Sequence, residues 1–424
     1  MIVGILIMNQ GSLLSSVMQF LEISRHLLTQ AWILQTFGFL LLMGSVMVLM
    51  EKSGGVDAFV HMLTKKLALV ESSRASLVLI YIIGIVIFIE TSITVLVAGS
   101  VGRPLCDAHN ISRAKLAYVC DSTSAPVGSI IMFNGYGALM LGLITAQMHL
   151  GYIQGDSVSW LMSAIGFNLY AFFTLALTFI VIWFTLDTQS MKNAVVKHEH
   201  SLVAQGSNPW YMILPITMMV GGVFLFLYLS GDGDILKGSG SSSIFYTMVM
   251  TFVLTGGYFI VGKIMSVKEV FVNGYLGAKG IFKVTSILFF AFGIGEVTNA
   301  MHTGIYLASF TDTILNPIWL ASTIFLLAAI ISFSTGTSWG TFGVMIPIAV
   351  PLAVSMDANI ALAMGAVISG GIFGDHCSPI SDTTIISSMA SGCDHVEHVK
   401  TQLPYALFSG IFAFFSFALI SGLS

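Results

Sequence analysis

The chain carries very little charge: of its 424 residues, 16 are Lys or Arg and 20 are Asp or Glu, 8% in all. An ordinary soluble domain carries about 25%. With 56% hydrophobic residues and a mean hydropathy of +0.92, this is an integral membrane protein of many helices. Cysteine is scarce too, and Cys106, Cys120, Cys377 and Cys393 sit in apolar or motif segments, which excludes a disulfide framework. A net charge of −4 argues against nucleic acid as a partner. The start lacks a basic region and a small-residue cleavage site, so no cleavable signal peptide is expected. Residues 1–8 are apolar but too few to span, and the expectation is that the start clips an N-terminal helix.

What remains is hydrophobic and repeatedly interrupted. Candidate spans of about 20 residues lie near 31–50, 160–186, 211–230, 243–262 and 403–422. The segments 76–100, 113–148, 285–310 and 317–373 are apolar but broken. The breaks come in register. Glu90-Thr91-Ser92-Ile93-Thr94, Pro104 and Asp121-Ser122-Thr123-Ser124-Ala125-Pro126 return as Ser334-Thr335-Gly336-Thr337-Ser338-Trp339-Gly340-Thr341, Pro351 and Asp375-His376-Cys377-Ser378-Pro379. Ser53-Gly54-Gly55 and His302-Thr303-Gly304 keep the same offset of about 250 residues, the mark of a duplicated transporter with its site between the halves.

Lys and Arg gather in 51–75, 187–210 and 263–283, which the positive-inside rule puts in the cytoplasm, with 231–242 outside. Their repeat partners, near 300–320 and 14–34, are almost free of Lys and Arg. The expected architecture is therefore an all-α polytopic membrane protein of two inverted-topology repeats, 1–186 and 211–424, joined by a cytoplasmic linker at 187–210. Residues 77–89 give too few apolar positions to cross before Glu90, and 317–333 end likewise in a hydroxyl cluster. Both read as re-entrant hairpins whose Thr-Ser tips meet near the midplane, because irregular backbone survives at that depth only when buried in protein or lining a cavity.

The densest polar stretch runs from Gly370 to Thr384. Its three glycines are expected to weaken the helix before Asp375, and Pro379 removes a backbone donor after it. Carboxylate, hydroxyl and carbonyl oxygens together suit a hard cation such as Na⁺ or Li⁺. Candidate cation or proton ligands are Asp375, Asp382, Ser378, Thr383, Thr337, Ser338, Thr341, Asp121, Thr91, Ser92 and Thr94. The plainer alternative is that the aspartates cap helix ends and the hydroxyls bond within helices. Glu90 and Glu296 break the symmetry, each being either a buried proton site or a carboxylate paired with a cation. An intramembrane aspartyl protease would need different spacings around Asp121 and Asp375. A transition-metal site at Cys377, Cys393, His395 and His398 lacks regular ligand spacing, and these histidines read as solvated helix-end residues or pH reporters. No Lys or Arg falls in the hairpin tips or in 369–384, which favours a bare cation over an organic anion.

Gly374-Asp375-His376-Cys377-Ser378-Pro379-Ile380-Ser381-Asp382-Thr383-Thr384, with Cys393-Asp394-His395, Thr401-Gln402-Leu403-Pro404-Tyr405-Ala406 and Thr335-Gly336-Thr337-Ser338-Trp339-Gly340-Thr341, resembles the NhaC family of Na⁺/H⁺ antiporters over about residues 34–424. The resemblance implies a scaffold domain, a transport domain with two hairpins, and often a homodimer with elevator-like motion. It implies a bacterial inner-membrane transporter and not an enzyme, with the lipid bilayer and an inorganic cation as partners and no cofactor. Thr337, Ser338 and Thr341 fall on the second tip, and Asp375, Ser378, Asp382 and Thr383 on the family's acidic motif. The family also holds carriers of organic acids and amino acids, so a Na⁺- or H⁺-coupled carrier of a small organic solute is the alternative cargo reading.

Overall fold

Apolar runs in lipid must satisfy every backbone group internally, which leaves helices as the only option for segments of this length. The computed structural model describes residues 1–67, 72–88, 91–194, 208–233, 240–301 and 317–423, and no strand occurs among them. In the first half these are α1 (Ile2–Met8), α2 (Leu13–Thr29), α3 (Ala31–Lys52), α4 (Gly55–Leu67), α5 (Ser73–Val86), α6 (Thr91–Ala108), α7 (Arg113–Ser122), α8 (Ala125–Ile130), α9 (Gly135–His149), α10 (Ser157–Gly166), α11 (Leu169–Phe184) and α12 (Gln189–Lys192). The second half has α13 (Trp210–Ser230), α14 (Gly240–Val261), α15 (Val267–Ala300), α16 (Leu320–Thr335), α17 (Ser338–Ser355), α18 (Ile360–Cys377), α19 (Asp382–Ser391) and α20 (His395–Leu423). Among the described residues, seven helical segments are long and apolar enough to cross a bilayer, or nine if the bent pairs α10–α11 and α15 with its mid-helix bend each count as one.

Two packing groups emerge. Helices α3, α13, α14 and α15 pack on one another as a scaffold. Where α3 crosses α15, Gly44 and Gly277 face each other, and a Cβ on either would lie within 2.4 Å of the other's carbonyl oxygen. Small residues at such a crossing let two backbones approach closely. The second group holds the hairpins α5–α6 and α16–α17 with the broken helices α7–α8 and α18–α19, and it meets the scaffold mainly through α9 and α17. Here the structure corrects one expectation. The glycines before Asp375 do not weaken the helix, because α18 runs unbroken from Ile360 to Cys377. They admit α16 instead: a Cβ at Gly370 would lie 2.2 Å from Phe325 O, and one at Gly374 would lie 2.2 Å from Ala329 O.

The hairpins enter from opposite faces. Ser73 Oγ donates to His109 O at 3.1 Å, closing the base of α5–α6. Arg113, next along the chain, reaches Ser391 O at 3.4 Å, just before α20 begins. The base of α16–α17 lies at the other end of α20, where Leu320, Asp357 and Asn359 line one cavity with Ser421. The 29 residues of α20 separate those two bases by roughly 40 Å at 1.5 Å per residue.

The three basic connections converge as well. Leu49, Phe259, Met265 and Val270 form a small apolar cluster against Tyr211, and a Cβ at Gly55 would touch Tyr211 and Met212. The ends of 51–75, 187–210 and 263–283 therefore share one face. On the other, Ser242 donates to Gln35 at 3.0 Å and Tyr152 to Asn299 at 2.7 Å. Glu90, His302-Thr303-Gly304, most of 300–320 and parts of 187–210 and 231–242 lie outside the described residues.

Opposed hairpin bases predict opposite labelling. In a background with the four native cysteines replaced, single cysteines at the exposed loop residues Asn110 and Asp357 should react with an impermeant thiol reagent from opposite sides of the membrane. Reaction of both from one side would contradict the inverted arrangement.

Candidate ion-binding centre

Two helices stop inside the protein and restart after a short break. Helix α7 ends at Ser122 and α8 resumes at Ala125 with Pro126 in its first turn, while α18 ends at Cys377 and α19 resumes at Asp382. The breaks touch at equivalent positions. Ser122 Oγ lies 3.3 Å from His376 Nε2, a contact between residues 254 apart, which is also the spacing of Asp121 and Asp375. Ser122 and His376 hold equivalent places in the duplicated sequence, so the two breaks cross there.

Both aspartates are buried there, Asp375 at 3% exposure and Asp121 at 0%. Asp375 lies in the last turn of α18, where the helix dipole favours a cation. Ser338, the first residue of α17, donates to Asp375 Oδ2 at 2.9 Å and sits 2.9 Å from the Tyr136 hydroxyl. Asp121 Oδ2 accepts from Gln402 Nε2 at 2.7 Å and Thr384 Oγ1 at 3.3 Å, with His398 Nε2 at 3.3 Å and His376 Nε2 at 3.9 Å. Asp375 Oδ1 and Asp121 Oδ1 make no hydrogen bond among the described residues.

Side chains also answer the carbonyls freed by the break. Gln402 Nε2 donates to His376 O at 2.7 Å, and His395 Nε2 contacts Pro379 O at 2.6 Å. Ser378 Oγ donates to Phe333 O at 2.8 Å, tying the break to the end of α16. Thr383 pairs with the Ser381 hydroxyl at 3.0 Å. Thr341 Oγ1 donates to Thr337 O at 3.0 Å, and Thr94 Oγ1 to Ile87 O. These hydroxyls thus hold the irregular backbone. Thr91 and Phe88 line a cavity of about 10 Å³ with Asn134, Tyr136 and Trp339, so the two tips flank the start of α9.

Several expected site residues lie elsewhere. No hydrogen bond joins Ser92 to Ser338 among the described residues. Ser92 lines a separate cavity of about 320 Å³ with Gly44, Glu51 and Gly277 of the scaffold side. Asp382 is exposed in the first turn of α19, a position where a carboxylate is stabilised by free amides. Glu296 is 34% exposed and lies 3.9 Å from His26, an arrangement nearer to the paired carboxylate than to the buried proton site of the two alternatives. His398, expected at a solvated helix end, is fully buried against Asp121. Among the described residues no three of His, Cys, Asp and Glu gather as a metal group. Sequence reasoning missed Tyr136, Thr384, His398 and Gln402 as partners of the aspartates. The i, i+4 spacing of His398 and Gln402 on one helix face was the available signal.

Nearby cations are engaged with other groups. Arg113 pairs with Asp107 at 2.8 Å and Lys115 with Asp187. Arg103 donates to the carbonyls of Met389 and Ala390 at the end of α19.

A model of the Na⁺/H⁺ antiporter family matches residues 133–422. An uncharacterised protein of Haemophilus influenzae is 33% identical over 392 residues, 87% of this chain and 75% of its own length. The Na⁺/H⁺ antiporter NhaC of Alkalihalophilus pseudofirmus is 34% identical over 91 residues, 22% of this chain and 20% of that protein. The solved structure of the YdaH transporter of Alcanivorax borkumensis superposes with a TM-score of 0.66 at 13% identity, covering 97% of this chain and 90% of that one. That likeness concerns the fold.

The Asp121 cluster makes a stability prediction. Gln402→Leu removes the shortest donor to a fully buried carboxylate, a loss of about 1–3 kcal/mol. The purified protein should melt several degrees lower, and an unchanged melting temperature would show that Gln402 does not hold Asp121.

Proposed function

Because the chain belongs to the Na⁺/H⁺ antiporter family, we propose that it exchanges Na⁺ or Li⁺ for H⁺ across the bacterial inner membrane, with Asp375 as the shared binding group. The observation that carries this reading is a pair of buried carboxylates, each with one oxygen free of hydrogen bonds, with the Ser338 hydroxyl bonded to Asp375. An ionised carboxylate in such a place is costly unless a proton or a cation neutralises it. Only one of the two can occupy it at a time, so the competition couples their movements. Oxygen donors without thiolate suit a hard monovalent cation.

Alternating access follows from the inverted halves, since exchanging the conformations of two similar repeats exchanges the open face. The Ser338 tip, from the second half, and Asp121, from the first, both bear on the same crossing. An organic anion would call for a cationic side chain in the site, and Arg103, Arg113 and Lys115 are bound elsewhere.

Everted vesicles carrying an acidic-interior pH dye should show dequenching when Na⁺ or Li⁺ is added. Asp375→Asn should abolish that response while the protein still inserts, and Ser338→Ala should raise the half-saturating Na⁺ concentration by roughly three- to ten-fold, the loss of one ligand. Proton movement that requires an organic acid or amino acid, and ignores Na⁺ and Li⁺ alone, would overturn the reading.

A further inference from the structure

Tyr136 belongs to neither hairpin and to neither break, yet its hydroxyl reaches the site. Its hydroxyl lies 2.9 Å from Ser338 Oγ, and Ser338 donates to Asp375 Oδ2 at 2.9 Å. A serine hydroxyl has one proton and two lone pairs, whereas an ionised carboxylate only accepts. With Asp375 ionised, the Ser338 proton must go to Asp375, and the hydrogen bond from Tyr136 must then run toward Ser338. One serine lone pair is thereby occupied, and the other is left pointing away from both partners.

The surroundings hold the phenol in that place. Tyr136 is 4% exposed, stacked on Trp339 at 4.6 Å and 23°, and set edge-on to Phe342 at 5.9 Å. Glycines flank it in the chain. A Cβ at Gly135 would meet Trp339 at 2.7 Å and Met43 of the scaffold at 2.9 Å, and one at Gly137 would lie 1.9 Å from Met132 O. Asn134 caps the helix, accepting from Gly137 N at 3.0 Å while donating to Gly128 O at 2.7 Å and Phe88 O at 3.0 Å. The start of α9 is thus tied to the first hairpin through Phe88, to the second through Trp339 and to the scaffold through Met43.

We propose that Tyr136 is a positioning residue of the cation site: it orients the Ser338 hydroxyl so that its proton serves Asp375 and its remaining lone pair serves the cation. The proposal rests on the reading of Asp375 as the cation-binding group. With the Tyr136 hydroxyl gone, nothing on that side fixes the rotor of the Ser338 hydroxyl, so its free lone pair is no longer held toward the cation, while Asp375 itself is untouched. Tyr136→Phe keeps the ring, its stack on Trp339 and its packing, and deletes only the donor.

The test measures equilibrium binding of ²²Na⁺ to purified protein, together with Na⁺-driven proton flux in proteoliposomes, for wild type, Tyr136→Phe, Ser338→Ala and the double variant. Tyr136→Phe should weaken Na⁺ binding and raise KM by roughly two- to three-fold, less than the loss of the Ser338 ligand itself, with a smaller change in maximal rate. In the Ser338→Ala background the same substitution should add little, because the group it orients is gone. An unmoved affinity in Tyr136→Phe, or an equal loss with and without Ser338, would overturn the proposal. A melting temperature matching wild type guards against a packing effect, and a fall that tracks the affinity loss counts against positioning. Wild-type protein that binds no Na⁺ would overturn the site itself, whereas intact wild-type binding with an indifferent Tyr136→Phe overturns this inference alone.

Discussion

Backbone that stops being helical inside the protein must have its amides and carbonyls answered by other parts of the chain. Two helices here break at depth, and the partners for those breaks come from across the fold. Gln402 serves both His376 O and Asp121, Ser378 serves Phe333 O, and Asn134 serves Phe88 O and Gly128 O. The buried aspartates are the acidic part of the same arrangement. Once Ser338 and the Asp121 cluster have taken their hydrogen bonds, one oxygen of each carboxylate remains uncommitted. The fold secures its irregular backbone with polar side chains and leaves two carboxyl oxygens over.

The hairpins and the scaffold take their places from this crossing. Helix α18 is straight enough to receive α16 because Gly370 and Gly374 remove the side chains that would keep it away. Arg103 and Arg113 hold the carbonyl end of α19 against α6 and the start of α7. Charges at that end favour cations by the helix dipole, so these arginines stabilise the half-helix and stay out of the site. The scaffold side is different in character, with a glycine crossing at Gly44 and Gly277 and an interface cavity beside Ser92 and Glu51. A loosely filled seam next to a tightly hydrogen-bonded core suits a group of helices that moves as one body past another.

The duplicated breaks are legible in the sequence because polar residues at fixed offsets have few other uses in an apolar chain. Asp121 and Asp375 stand out for that reason, and so does Ser338. What the residues do to one another is less legible. Thr94, Thr341, Thr383 and Ser378 each bond a carbonyl or hydroxyl, a partnership that sequence spacing does not reveal and that leaves lone pairs on each oxygen. Asp382 belongs to the same motif in sequence but is exposed in the first turn of α19, since one helical step turns a side chain by about 100°. Gln402, His398 and Tyr136 arrive from distant helices, and no local pattern announces a contact made by tertiary packing.

The central claim is that a cation binds where Asp375 and Ser338 meet at the crossing of the broken helices. Anomalous diffraction from crystals soaked in Tl⁺, a heavy monovalent cation, tests it most directly. The account predicts a peak within coordination distance of Asp375 Oδ1 that disappears in competition with excess Na⁺. A Na⁺-displaceable peak elsewhere, with none beside Asp375 at saturating Tl⁺, would contradict it.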